Sequence, residues 1–285
     1  MVKDTYRTLY LKARDAFKAQ SIPGFELEAR LITAHALGIS TDAFIRDRHL
    51  PAGAHAAEAL DGLIKERLCG KPLAYILGSW SFYGLTFKVT PDVLIPRIDT
   101  EVLVDTALSI LSKAPSSGRI LDLCSGSGCI GCTIACEADA AHVVMGDIST
   151  GALAVSRENA LLLGVGDRCS FVLCNALEPP KGLGMFDMIL CNPPYIPSGD
   201  LEGLDTSVKD YEPGSALDGG SDGLMFYRTV SRLWSKILNP GGYLLFEAGI
   251  GQSESIKDIM QKSGFYDIFW AEDTLSVPRV VWGRK

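Results

Sequence analysis

The chain has 285 residues, 47% hydrophobic and 21% charged, enough for one large domain and a smaller one with ordinary globular cores. Its formal charge of −7 argues against generic binding to a phosphate backbone. No apolar run approaches the roughly 18 residues of a spanning helix, and Met1 to Phe17 interleave charges where a leader peptide would be apolar, which points to the cytoplasm and to no membrane partner.

Apolar positions recur at helical spacing over 3–20 (Leu9, Ala13, Phe17) and 25–37 (Ala29, Ile32, Ala36), interrupted at Ser21-Ile22-Pro23-Gly24 and closed by Gly38. Helices over 41–48 and 54–68 follow, separated by Pro51-Ala52-Gly53 and ended by Gly70-Lys71-Pro72. Residues 1–78 therefore read as a small helical N-terminal domain, a packed bundle with substrate docking as an added role. From Ser79 the pattern turns strand-like through Trp80, Phe82, Leu85, Phe87 and Val89, then Val93-Leu94-Ile95, with turns at Gly84 and Pro91-Asp92. This predicts a β-hairpin linker over 79–96. Pro96-Arg97-Ile98-Asp99-Thr100-Glu101 then opens a helix to about 112, capped by Asp99 or Thr100, at the head of a larger domain over 97–285.

The strand Arg119-Ile120-Leu121-Asp122-Leu123-Cys124, the turn Ser125-Gly126-Ser127-Gly128 and a helix over 129–138 make a nucleotide-binding unit. Gly126, Gly128 and Gly131 satisfy G-x-G-x-x-G, and the acidic residue expected about 20 positions on is Asp147, after the strand His142 to Gly146. Asp147 is placed to accept both ribose hydroxyls. Dehydrogenases share this pattern. Asp122 separates them: a carboxylate there repels a pyrophosphate and attracts the ammonium of a methionine moiety, so S-adenosylmethionine fits better than NAD, the plainer alternative being a turn or cap carboxylate. The eight cysteines read as thiols. Cys129, Cys132 and Cys136 fall on one face of the helix and pass as small apolar residues, and the four histidines show no ligand spacing, so no metal site is expected.

Beyond lie a helix over Ser149 to Leu163, strands Ser170 to Cys174 and Phe186 to Cys191, a helix over Gly223 to Leu238, a turn at Pro240-Gly241-Gly242, a strand Tyr243 to Glu247, a helix Ser253 to Lys262 and two closing strands. This alternation is that of an α/β doubly wound sheet, in which ligands lie beyond the carboxyl ends of the strands. Asp122, Asp147, Asn175 and Asn192 all fall at such ends. After the apolar run Met188-Ile189-Leu190-Cys191 comes Asn192-Pro193-Pro194-Tyr195. Two prolines stiffen the backbone and remove its donors, so the turn presents acceptors. A planar NH2 group can donate to Asn192 and to the Pro193 carbonyl while stacking on Tyr195, although an ordinary Pro-Pro turn has the same letters.

With the Gly126 turn upstream, Asn192 to Tyr195 resembles the amino-methylating class of S-adenosylmethionine-dependent methyltransferases. Within it the chain is similar to the bacterial peptide chain release factor glutamine methyltransferases over nearly its whole length. The likeness runs through Gly70-x-Pro72, Ala74-Tyr75-Ile76-x-Gly78, Phe82-x-Gly84-x-x-Phe87, Leu94-Ile95-Pro96-Arg97 with Thr100-Glu101, Tyr211-Glu212-Pro213, Leu217-x-Gly219-Gly220-x-Asp222-Gly223-Leu224 and Pro240-Gly241-Gly242. The resemblance implies a Rossmann-like class I methyltransferase domain with a mostly parallel seven-stranded sheet, acting as a monomer with no direct nucleic-acid partner. It implies that Cys124, Ser125, Gly126, Ser127 and Gly128 wrap the methionine end of the cofactor, Asp147 holds the ribose, and Asn175 and Ala176 flank the adenine. It further implies that Asn192, Pro193, Pro194 and Tyr195 hold a glutamine of a Gly-Gly-Gln loop, with Phe82 and Arg97 lining the site. Cys124, Ile98, Ala176 and Ala248 depart from common family residues (glycine, proline, a bulkier residue and isoleucine).

The reaction expected is direct transfer of the sulfonium methyl to the glutamine amide nitrogen, oriented by Asn192 and Pro193, with no general base assigned. The rival is methylation of an adenine amino group in nucleic acid, which the acidic charge disfavours.

Overall fold

A computed structural model of the chain describes residues 4–113 and 118–285. It divides into two compact units, one running to Gly78 and including Thr206–Tyr211, the other made of Ser79–Asp205 and Glu212–Lys285. Among the described residues no helix is long and apolar enough to cross a membrane.

The first unit holds α1 (Tyr6–Ala19), α2 (Phe25–Leu37), α3 (Thr41–Asp47), α4 (Ala54–Leu68) and α5 (Leu73–Leu77). The first residue of the segment predicted over 3–20 lies outside the described residues. Thr5 and Thr8 cap α1 reciprocally, each side chain accepting the other's backbone N–H. Leu9, Ala13 and Phe17 from α1, Ala29 and Ile32 from α2 and Leu60 from α4 are buried, and Arg67 pairs with Glu28 at 2.6 Å between α4 and α2. The five-residue α5 is too short to show a period and was not expected. The one-turn helix Thr206–Lys209 also belongs here, and the hydroxyl of nearby Tyr211 donates to the Cys69 carbonyl at 3.0 Å.

The second unit opens with the hairpin β1 (Ser79–Phe82) and β2 (Leu85–Lys88), whose two turn residues, Tyr83 and Gly84, both have positive φ, as a tight two-residue connection requires. The expected linker over 79–96 is thus regular only to Lys88, and Val93 and Ile95 are buried without forming a strand. Ile98–Thr100 is a 3₁₀ turn leading into α6 (Glu101–Leu111), and neither Asp99 nor Thr100 caps it. Asp99 instead pairs with Arg279 at 2.8 Å.

The main sheet follows in β3 (Arg119–Leu123), α7 (Cys129–Glu137), β4 (His142–Asp147), α8 (Thr150–Leu162), β5 (Cys169–Leu173), β6 (Phe186–Cys191), α9 (Met225–Leu233), β7 (Leu238–Glu247), α10 (Ser253–Lys262), β8 (Tyr266–Glu272) and β9 (Pro278–Arg284). Seven strands lie in the order β5-β4-β3-β6-β7-β9-β8, parallel from β5 to β7, with β9 antiparallel to both its neighbours. Two expectations need correction. The helix predicted to Leu238 stops at Leu233 and tightens into a 3₁₀ turn over Trp234–Ile237. Pro240-Gly241-Gly242 is no turn but a bulge inside β7, where the register to β6 jumps from Phe186↔Leu238 to Met188↔Tyr243.

Alternation on these strands sends Ile120, Met188, Leu190 and Leu245 to the face covered by α6 and α7, and Leu121, Ile189, Leu244 and Phe246 to the face covered by α9 and α10. Cys129 and Cys132 are buried on the first face and Cys136 is half-buried against it. From β3 the chain winds outward to β5 and then returns to β6 beside β3, so the connections leave those two strands in opposite directions and open a crevice at their carboxyl ends.

Asn159 on α8 locks this crevice to the hairpin. It is fully buried, accepts from the Lys88 N–H at 2.7 Å, and donates to the carbonyls of Lys88 at 3.0 Å and Ser127 at 2.9 Å. Asn159→Leu leaves those three groups unpaired, and urea unfolding is expected to show a loss of about 2–4 kcal/mol, against under 1 kcal/mol for a surface control on the same helix.

Candidate active site

The crevice contains a cavity of about 300 Å³, in the range of small-molecule sites. Cys124, Ser125, Gly126, Ser127, Asp147, Asn175, Ala176, Asn192, Pro194 and Arg97 bound it, together with Thr100, Ile130, Pro213 and Phe226. Residues far apart in sequence meet here because strand ends, the loops after them and the first turns of α7 and α9 come together at one edge of the sheet.

Its floor is the turn after β3. Cys124 has φ +63, the left-handed region that glycine adopts freely, which accounts for the strain of a cysteine at this position. Gly128 and Gly131 are glycine for want of space: a Cβ would meet Ser156 Cβ at 2.7 Å in one case and Asp122 Oδ2 at 2.9 Å in the other. Gly128 thereby lets the start of α7 pack close on α8 without bounding the cavity itself. Asp147 fastens the turn from β4, its Oδ2 accepting the Gly126 N–H and its Oδ1 the Ser149 N–H, both at 2.9 Å. That bracing role was not foreseen, although each oxygen keeps a lone pair toward the cavity it bounds.

Beneath the turn sits Asp122, wholly buried, with Oδ2 accepting from the Gly131 N–H at 2.9 Å and Oδ1 without a partner. Burial pushes its carboxyl up to about 7 against the Gly131 hydrogen bond, and Asp147 adds to the rise. Ser125 also carries an unpartnered buried hydroxyl, and it bounds the cavity. Asp122 itself does not bound the cavity; its orphaned oxygen below the turn and the Ser125 hydroxyl on the wall complement a cationic, hydrogen-bonding ligand.

On the β5 side, Asn175 Oδ1 accepts the Leu177 N–H at 2.9 Å, and the Ala176 carbonyl takes the Trp234 indole N–H at 2.7 Å, which shapes that wall from below. On the β6 side, Asn192 Nδ2 donates to Thr100 Oγ1 at 3.4 Å, and both side chains are polar neighbours of Glu247, the last residue of β7. Glu247 is only 3% exposed, and burial raises its carboxyl to about 7, against the lowering effect of Thr100. Glu212, with a side chain 1% exposed, pairs with Arg97 and accepts the Ile95 N–H at 3.2 Å, so it fixes the Arg97 wall.

Not every expected site residue reaches the cavity. Phe82 is 2% exposed and packs edge-on against Phe87 at 6.0 Å, because the hairpin turns both rings inward; it is a core residue. Pro193 is buried, and Tyr195 lies half-buried near Gly249, its hydroxyl pushed up to about 12 by burial and by Glu247, so neither bounds the cavity. Sequence reasoning missed Thr100, read as a helix cap, and gave Glu247 and Glu212 no part in the site. A carboxylate closing an apolar strand such as Tyr243 to Glu247 was the available signal for Glu247.

The family described as methyltransferase small domain matches residues 98–203, and that described as PrmC N-terminal domain matches residues 8–78. The chain is 41% identical over 280 residues to the release factor glutamine methyltransferase of Geobacter sulfurreducens, covering 98% of this chain and 96% of that one. It is 35% identical over 287 residues to the release factor glutamine methyltransferase of Bradyrhizobium diazoefficiens, covering 100% and 95%. The crystal structure of a methyltransferase from Pyrococcus furiosus matches with a TM-score of 0.51 at 16% identity, over 78% of this chain and 96% of that one, a likeness of fold.

Asp122 gives the site a pH signature. Its carboxyl titrates near 7 when folded and near 4 when unfolded, so the folded chain holds the proton more tightly and stability falls as pH rises from about 4 to about 7. Asp122→Asn removes that loss: urea unfolding is expected to find it about 1–3 kcal/mol more stable than the wild type at pH 8, with no comparable gain at pH 4.

Proposed function

The chain belongs to the release factor glutamine methyltransferase family, and from that premise we propose that it transfers a methyl group from S-adenosylmethionine to the side-chain amide nitrogen of the glutamine in the Gly-Gly-Gln motif of a peptide chain release factor. The observation that carries this reading is the position of Asn192, at the carboxyl end of β6 and on the wall of the cavity that the Cys124–Ser127 turn also bounds.

The residues fit the cofactor. Asp122 Oδ1 and Ser125 Oγ, buried and unpartnered, suit the ammonium and carboxylate of its amino-acid end, and the positive charge would hold Asp122 ionised. Asp147 has lone pairs for the ribose hydroxyls, and Asn175 and Ala176 flank the place for the base. Bound there, S-adenosylmethionine supplies an electrophilic sulfonium methyl.

An amide nitrogen is a weak nucleophile because its lone pair is delocalised, so the protein must hold it in line and draw density onto it. Asn192 Oδ1, on the cavity wall, accepts from its NH2, and the stiff Pro193-Pro194 backbone behind keeps that acceptor from relaxing. The amide loses one proton on methylation, and with no strong base assigned it passes to solvent. Arg97, fixed by Glu212, bounds the mouth and contacts the substrate loop. The helical unit, residues 1–78, supplies the docking surface for the release factor, and the enzyme acts as a cytoplasmic monomer.

The test is incubation of a purified release factor with the protein and deuteromethyl S-adenosylmethionine, followed by peptide mapping. Label is expected on the Gly-Gly-Gln glutamine; label confined to other residues, or to nucleic acid, would overturn the assignment. Asn192→Ala is expected to lower kcat on the order of 100-fold with cofactor affinity within about threefold of the wild type, the split that separates orientation of the nucleophile from binding.

A further inference from the structure

An asparagine can turn either its oxygen or its nitrogen toward a ligand, and only the oxygen accepts from a substrate NH2. Something must therefore set the direction of the Asn192 amide. Behind it, away from any assigned role, lies the chain Asn192, Thr100, Glu247. Thr100 is 2% exposed and held by the turn that leads into α6, and Glu247 is buried at the end of β7 with Oε2 unpartnered. Asn192 Nδ2 reaches Thr100 Oγ1 at 3.4 Å, and the two side chains are the polar neighbours that hold the pKa of the Glu247 carboxyl down against its burial.

Resting on the function proposed above, we infer that Glu247 is a positioning residue whose carboxylate turns the NH2 of Asn192 inward and its carbonyl oxygen toward the substrate amide. An ionised carboxylate only accepts, so Thr100 must give it the hydroxyl proton, and Thr100 Oγ1 is then left to accept from Asn192 Nδ2. The one charged group at the base sets the polarity of every bond above it. A protonated carboxyl, or a glutamine, can also donate; it lets the chain reverse and brings the Asn192 nitrogen to face the substrate nitrogen, donor against donor.

The buried carboxyl titrates near 7, so the inference has a pH signature: kcat rises as Glu247 ionises. The groups that face it are Asp99, which raises its pKa, Arg279, which lowers it, and Tyr195, Tyr227 and Cys129. The two tyrosines and the cysteine are pushed upward by burial, away from neutral pH. Asp122 titrates in the same range from the other side of the turn and is separated by its own Asn variant.

The test compares wild type with Glu247→Gln, release factor as substrate and cofactor saturating. Glu247→Gln is expected to lower kcat about 10–100-fold, with KM for the release factor and Kd for the cofactor within about threefold, and to flatten the rise of kcat between pH 6 and 8. Glu247→Asp, which keeps the charge, is expected to retain that rise. Wild-type kcat and an unchanged pH profile in Glu247→Gln would overturn the inference. A second readout needs neither turnover nor a Glu247 variant: in ¹⁵N-asparagine-labelled wild type, the side-chain amide signals missing from the folded Asn192→Ala variant should move between pH 6 and 8. Signals that stay fixed would overturn the inference too. Failure of the wild type to label the release factor is a separate result, and it would fall on the function on which this inference rests.

Discussion

Two parallel strands that stop side by side while their chains leave in opposite directions make the constraint on which this site depends. β3 and β6 pair through Asp122↔Leu190 and Leu123↔Cys191 and end together, and the chain leaves them toward opposite sides of the sheet. The Asp122 and Ser125 side-chain oxygens there are left for a ligand. Register also decides which side chains look up: Leu123 and Cys191 pack on one face, so the turn after β3 and the Asn192 turn after β6 rise from the same level on either side of the crevice.

The site is costly to fold around. Asp122 Oδ1, Ser125 Oγ and Glu247 Oε2 are buried without partners, and all three lie at or beside the carboxyl ends of β3 and β7. Each orphaned group costs roughly 1–3 kcal/mol, which the surrounding apolar strands and the buried rings of Tyr227, Phe246 and Trp234 must offset. Two carboxyls held near neutrality are the mark of a place where stability is given up for chemistry. The bracing groups Asp147, Asn159 and Glu212 work in the opposite sense. They spend their hydrogen bonds on backbone and on Arg97, and keep the cavity walls from relaxing.

Much of this was legible in the sequence because the local signals agree with the fold. The apolar strand to Leu123, the glycine turn and Asp147 some 20 residues on each point to the same unit, and the Asn192 turn follows an unbroken apolar strand. What stayed hidden depends on distant neighbours. Thr100 looks like a helix cap because Thr favours caps, and only the approach of Asn192 from the end of β6 gives its hydroxyl another partner. Pro240-Gly241-Gly242 has the letters of a turn, yet a bulge in β7 takes the same residues once β6 holds the strand on both sides of it. Phe82 comes shortly before the cavity-lining segment in sequence, and alternation in the hairpin sends its ring against that of Phe87 in the core instead.

The anchored Asn192 amide reaches beyond the glutamine it would hold. Glutamate has the same length and shape, and it is what a glutamine becomes when it loses its amide nitrogen by hydrolysis. In that form the side chain would bring a carboxylate to the Asn192 oxygen, with no proton to give it. Oxygen would face oxygen, a mismatch that the equal size of the two side chains would not provide. The turn that orients the nucleophile would thus also keep the site from being occupied by a chemically aged chain that has no nitrogen to methylate.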